Sequence, residues 1–227
     1  MQYRRLCLRY AGGVKMKEQE RILCFGDSNT FGMIPSSDEK RYPPDVRWTG
    51  LLQRALGDGW TVIEEGLCGR TIGQRDYLNP YHSGADQIIP CAASHKPLSM
   101  ILIMLGTNDC KDRYHLCPEE IREEMRLLLT SVLQYFERDT LPKILLTAPP
   151  PIRGDIGEYE YSGLASQRSR GLGEQYELLA ADLGILFLDA GSLGIGLGAD
   201  ALHFTKEDHR RFALAVEKVV REAFRQR

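Results

Sequence analysis

The sequence predicts an α/β domain built on a parallel sheet with helices on both faces, and three observations carry that expectation. Five short apolar runs are continuous rather than alternating, which suits strands buried on both sides. Amphipathic stretches with i, i+3, i+4 spacing separate them, so strands and helices alternate. Each of the first three runs ends in small and polar residues, as expected at the carboxyl edge of an open sheet, where ligands bind. At 227 residues, 43% hydrophobic and 26% charged, the chain is long enough for one domain with a substantial core.

In chain order the first strand is expected at Ile22–Phe25, the second at Thr61–Ile63 and the third at Met100–Leu105. The fourth covers Lys143–Thr147, stopped by Pro149, Pro150 and Pro151, and the fifth covers Ile185–Leu188. Trp48, Leu51, Leu52, Ala55 and Leu56 form the apolar stripe of a helix that stops at Gly57. Longer helices are expected over roughly 119–137, from Ser162 to Gly184, and over roughly 206–224 behind Thr205, a suitable N-cap. Residues 1–20 read as an N-terminal extension and 21–227 as a single domain. The first fifteen residues are either a loose extension or the product of a start codon upstream of Met16.

Formal charge is −2 and the isoelectric point is near 6.2, without a basic block interleaved with aromatics, so neither nucleic acid nor an anionic membrane is an expected partner. A small molecule is. Six cysteines (Cys7, Cys24, Cys68, Cys91, Cys110, Cys117) contain no CxxC pair, and His82, His95, His115 and His209 match no metal motif. Leu6-Cys7-Leu8 is too short for a secretory apolar segment, and a cytoplasmic location is the expectation.

After the first strand stand Gly26-Asp27-Ser28-Asn29-Thr30, after the second Glu64-Glu65-Gly66-Leu67-Cys68-Gly69-Arg70, and after the third Gly106-Thr107-Asn108-Asp109. Acyl transfer needs a nucleophile, a base, a group that orients the base, and donors aimed at the developing oxyanion. Ser28, on a strand-to-helix turn, is the candidate nucleophile, against the simpler reading of a helix-capping serine. His203, three residues after Asp200 in the loop before the last helix, is the candidate base, with Asp200 fixing its tautomer. The Ser28 and Gly69 amides and the Asn108 side chain are candidate oxyanion donors, against ordinary turn residues. Cys68 beside Gly69 is a rival nucleophile without a dedicated base.

These residues resemble the four sequence blocks of the GDSL esterases, or SGNH hydrolases. Phe25-Gly26-Asp27-Ser28-Asn29-Thr30-Phe31-Gly32 resembles the first, the segment around Gly69 the second, Gly106-Thr107-Asn108-Asp109 the third and Asp200-Ala201-Leu202-His203 the fourth. The similarity spans about residues 21 to 222. It implies a flavodoxin-like three-layer α/β/α sandwich with a five-stranded parallel sheet, the Ser28, Asp200 and His203 triad, and an oxyanion hole of Ser28, Gly69 and Asn108. No metal or organic cofactor is required by that resemblance. Asn29 departs from the family pattern, which has Leu at this position.

Pro44-Asp45-Val46-Arg47-Trp48-Thr49-Gly50, Val62-Ile63-Glu64-Glu65-Gly66-Leu67 and Ile103-Met104-Leu105-Gly106-Thr107-Asn108-Asp109 are similar to a bacterial arylesterase and acyltransferase subgroup. That similarity implies hydrolysis of short-chain or aryl esters through an acyl-enzyme, with acyl transfer to alcohols as a side activity. The alternatives are a carbohydrate O-deacetylase of the same family and a noncatalytic α/β module that binds an acylated metabolite or carbohydrate. Phe31, Met33, Trp48 and Ile152 are the candidate substrate pocket, with ordinary packing as the competing reading. The irregular 152–170 region is a candidate lid or oligomer contact, in which Tyr159 and Tyr161 would meet a sugar or aryl ring. Tyr42 and Trp48, taken as exposed, would suit self-association.

Overall fold

The computed structural model describes residues 19–75, 80–154 and 160–225. Five strands, β1 (Glu20–Gly26), β2 (Trp60–Gly66), β3 (Met100–Met104), β4 (Lys143–Ala148) and β5 (Leu186–Asp189), form one sheet in the order β2-β1-β3-β4-β5. Every neighbouring pair is parallel. The continuous apolar runs follow from burial on both faces, with successive side chains pointing opposite ways. Ile22 and Cys24 of β1 with Met100, Leu102 and Met104 of β3 enter one core, and Leu23, Phe25, Ile101 and Ile103 enter the other.

Helix α1 (Ser28–Phe31) is a single turn, and α2 (Trp48–Leu56) is the longer helix that follows it. Then come α3 (Gly84–Ser94), α4 (Pro118–Tyr135), α5 (Gly163–Leu183) and α6 (Lys206–Ala223). Helices α2 and α6 cover one face through Trp48, Leu52, Leu56, Phe212, Val216 and Val220. Ile88, Met125, Leu129, Leu172 and Leu179 carry α3, α4 and α5 onto the other. The result is a three-layer α/β/α sandwich, as the sequence implied. Helix α2 ends at Gly57 and α5 at Gly184, while Ser162 and Thr205 cap α5 and α6 with their side chains. Each such cap contributes about 1 kcal/mol.

Three features differ from the sequence expectation. Strand β1 begins at Glu20, inside the stretch assigned to the N-terminal extension, because Glu20 pairs in register with Trp60 of β2. The rest of that extension lies outside the described residues. Helix α3 had no counterpart in the sequence patterns, since Pro90 sits within it and removes an intrahelical donor. Trp48 and Tyr42 are not surface residues: Trp48 is fully buried, its ring 4.9 Å edge-on to Phe212, and Tyr42 stacks edge-on with His209. The basis for self-association through them is lost.

The strand order decides where a site can form. From β1 the chain passes to β2 on one side and then crosses to β3 on the other, so the loops after β1 and β3 diverge and leave a crevice at the carboxyl edge. Ser28 and Asn108 follow those two strands.

Candidate active site

Asp27 ends β1 and caps α1, its carboxylate accepting from the Asn29 amide at 2.9 Å. Ser28 is thereby the first residue of a helical turn, whose leading N–H groups have no intrahelical acceptor. Gly26 is required just before it: a Cβ there would lie 2.1 Å from Thr30 Oγ1 and 2.9 Å from the Met104 carbonyl oxygen.

His203 Nε2 lies 2.9 Å from Ser28 Oγ, and His203 Nδ1 lies 2.9 Å from Asp200 Oδ2. Asp200 also accepts from three backbone amides, Ser36 at 2.7 Å, His203 at 3.0 Å and Leu202 at 3.1 Å. Burial pushes its carboxyl up, but hydrogen bonds from the His203 ring and backbone and from Ser36 outweigh this and hold it well below the usual carboxylate range. Asp200 is therefore an acceptor only. Nδ1 must carry the proton it receives, which in a neutral ring leaves Nε2 with a lone pair facing the Ser28 hydroxyl.

The other two blocks are tied to the first by Arg70. Its guanidinium donates to the carbonyls of Gly26 and Glu65 and to Gln87 Oε1, and lies 4.0 Å from the Phe25 ring centroid. The Arg70 carbonyl accepts from Asn108 Nδ2 at 3.0 Å. Asn108 Oδ1 in turn accepts from the Tyr161 hydroxyl at 3.0 Å. Both ends of the amide are thus fixed, which determines which way its NH2 points and leaves one N–H for a ligand. Gly69 has φ +75°, and a Cβ there would lie 2.8 Å from His82 Nδ1, so glycine is needed on both counts. Asp109, fully buried, accepts from the Ile72 amide at 2.9 Å; burial pushes its carboxyl up to about 8.

Asn29 has a clear role in the packing. Its amide donates to the Leu202 carbonyl at 3.2 Å and accepts from the Phe204 amide at 2.9 Å, gripping the chain on either side of His203. No sequence pattern marks such a contact across 173 positions. Arg70 and Tyr161 were likewise not assigned to the site by the sequence. Tyr161, expected to touch a sugar or aryl ring, is 2% exposed and packs into the core. Tyr159 lies outside the described residues.

Of the four candidate pocket residues, two are corrected. Trp48 belongs to the core under α2, because it starts the same i, i+4 stripe as Leu52 and Leu56. Ile152 is 2% exposed and packed with the core under α3, α4 and α5. Phe31 and Met33 are partly exposed; the Arg41 guanidinium lies 4.6 Å from the Phe31 ring centroid, and the Met33 amide donates to the Ser28 carbonyl. The Cys68 thiol is pushed up to about 12 by burial and then by Glu39 and Asp27, so it is held protonated rather than as a nucleophilic thiolate.

No helix is long and apolar enough to cross a membrane among the described residues. No curated protein sequence matches the chain. Among solved structures it is similar to an aryl esterase of M. smegmatis in its inhibitor-bound form, at 37% identity and a TM-score of 0.85, covering 89% of this chain and 99% of that one. It is equally similar to Est24, a carbohydrate acetylesterase from Sinorhizobium meliloti, at 36% identity and a TM-score of 0.86, covering 91% and 100%. A putative arylesterase from Agrobacterium tumefaciens str. C58 is 33% identical, with a TM-score of 0.83, covering 90% and 99%. The family described as GDSL-like Lipase/Acylhydrolase matches residues 24–211. With that span and those identities, the chain belongs to the GDSL-like lipase/acylhydrolase family and is a carboxylic ester hydrolase.

Proposed function

We propose that the protein hydrolyses short-chain acyl or aryl esters through a Ser28 acyl-enzyme, and passes the acyl group to alcohols as a side activity. The observation that carries this reading is the unbroken relay from Asp200 Oδ2 through His203 to Ser28 Oγ, with 2.9 Å at each step. His203 Nε2 takes the Ser28 proton as Oγ attacks the ester carbonyl carbon. The oxyanion that forms is received by the Ser28 and Gly69 amides and the remaining Asn108 N–H. Such a donor is typically worth about 3 kcal/mol in the transition state. The tetrahedral species collapses by expelling the alkoxide, which takes the proton from His203. Water or a second alcohol then gives a proton to His203 and attacks the acyl-enzyme carbonyl; the second tetrahedral species expels Ser28 Oγ, which takes the proton back from His203, and the acid or the new ester leaves.

The likeness to the M. smegmatis aryl esterase supports aryl esters as substrates. A second reading, carbohydrate O-deacetylation, is supported by the equal likeness to the Sinorhizobium acetylesterase. Both readings use the same triad and oxyanion donors and differ only in what the crevice admits. A net charge of −2 favours a small-molecule partner over nucleic acid or an anionic membrane. The five free cysteines among the described residues suit the reducing conditions of the cytoplasm.

The test is hydrolysis of p-nitrophenyl esters from acetate to decanoate, run beside acetylated sugars, with wild type and Ser28→Ala. Turnover of short esters that vanishes in Ser28→Ala supports the aryl-ester reading, and a marked preference for acetylated sugars supports the second. Failure of an organophosphonate ester to label Ser28, with no ester turned over, would leave a binding module.

A further inference from the structure

We propose that Glu65, Cys91 and His95 form a binding site for a borderline-soft divalent cation of the Zn2+ type, separate from the ester-cleaving residues and independent of their assignment. Cys91 and His95 stand four residues apart, on the last turn of α3 and its C-cap, and so share one face. Glu65 comes from the end of β2, the edge strand of the sheet. Alternation along β2 sends Glu64 towards α2, where it meets Thr49, Arg41 and Arg47, and sends Glu65 to the opposite face, towards α3.

His95 Nε2 lies 3.0 Å from Glu65 Oε1, and one ligand atom from each of Glu65, Cys91 and His95 lies within 4.8 Å of the others. Among the described residues this is the one such group of three. The Glu65 carboxylate meets both the His95 ring and the Cys91 side chain, so oxygen, nitrogen and sulfur donors converge on one place. Sulfur, imidazole nitrogen and carboxylate oxygen around one point form a donor set suited to Zn2+ rather than to Ca2+ or Mg2+, which take oxygen ligands. Three protein ligands leave a fourth tetrahedral position for water. All three residues are partly exposed, so an ion can reach them from solvent.

Charge balance supports the assignment. A Cys91 thiolate and a Glu65 carboxylate neutralise a dication, with His95 neutral. The nearby Arg70 guanidinium, which interacts electrostatically with both Cys91 and Glu65, then faces a neutral complex. Because the thiolate and not the thiol is the metal ligand, binding releases the Cys91 proton: the S–H bond breaks, the sulfur lone pair passes to the metal and the proton to solvent.

The experiment is titration of the full-length protein with Co2+, followed by Zn2+ displacement. One equivalent of Co2+ is expected to produce a near-ultraviolet thiolate-to-cobalt charge-transfer band and visible bands of tetrahedral intensity, which Zn2+ abolishes. Cys91→Ser should remove the charge-transfer band, and His95→Gln and Glu65→Gln should each weaken Zn2+ binding about 10-fold or more. Cys68→Ser and Cys117→Ser should leave the band intact, and so should Ser28→Ala. Absence of a thiolate band in the wild type at millimolar Co2+ overturns the proposal. Persistence of the band in Cys91→Ser also overturns it, whatever the esterase assays show.

Discussion

Replacing Tyr161 by Phe removes one oxygen atom and tests whether the orientation of Asn108 matters to the reaction. The Tyr161 hydroxyl donates to Asn108 Oδ1 at 3.0 Å, at the opposite end of the amide from the nitrogen held by the Arg70 carbonyl. Flipping the amide in the wild type breaks both bonds and sets two oxygens against each other at Arg70. In Tyr161→Phe the flip breaks only one. The lost bond is worth about 1 kcal/mol, and leaving Oδ1 buried without a donor costs about 1–3 kcal/mol. Loss of the hydroxyl also removes polarisation of the N–H that faces the oxyanion. If about 1 kcal/mol of this appears in the transition state, kcat falls roughly 5-fold while KM hardly changes. Steady-state kinetics on p-nitrophenyl acetate, together with thermal unfolding, separate the catalytic from the structural share. A variant that loses stability but keeps kcat within twofold would refute the positioning role of Tyr161.

Asn108→Ala removes the donor itself and should lower kcat by ~10²–10³ with a smaller effect on KM, whereas a change confined to KM would make Asn108 a substrate-binding group only. Asn29→Ala strips partners from the Leu202 carbonyl and Phe204 amide, at about 1–3 kcal/mol for each buried group, and should lower both Tm and kcat. An unchanged kcat at a temperature where the variant is fully folded would show that the His203 loop holds itself. Cys68→Ala should retain activity, since the thiol is held protonated; complete loss of turnover would revive the thiol nucleophile. Finally, His209 is fully buried, with Nδ1 accepting from the Trp48 amide at 3.3 Å, and burial lowers its pKa to about 4. The unfolded chain binds that proton first, so the contribution is intact above about pH 6.5 and is lost as pH falls towards 4, by about 3 kcal/mol. His209→Asn, whose amide oxygen can still accept from Trp48, should flatten the acid limb of unfolding free energy against pH; an unaltered slope would exclude His209 as its source.

The strands were legible because a parallel sheet covered on both faces leaves its burial in the sequence as continuous apolar runs, and Met100 to Met104 is wholly buried. Helices with strong apolar stripes and side-chain caps, such as the one behind Thr205, were legible for the same reason. Helix α3 was hidden by Pro90, and the first residues of β1 by their polarity, since Glu20 and Arg21 pair as backbone rather than as core. Ser28, Asp200 and His203 could be named from their blocks, and the structure brings them into one hydrogen-bonded row. What the sequence could not convey were contacts made across the chain: Tyr161 to Asn108, Arg70 to Gly26, Asn29 to Leu202. Trp48 stood in two readings, a substrate pocket and ordinary packing, and its place in the Leu52 and Leu56 stripe commits it to the core.

Ser28 and His203 are separated by 175 positions yet meet at 2.9 Å, and Asn29 fastens the intervening return of the chain. A nascent chain therefore carries Ser28 for most of synthesis without the imidazole that meets its hydroxyl in the folded protein. Helix α6 must emerge and dock through Phe212, Val216 and Val220 before the loop that bears His203 is anchored from both sides. Onset of ester cleavage during refolding should then coincide with the last step of tertiary closure, which makes turnover a reporter of complete folding rather than of any local element.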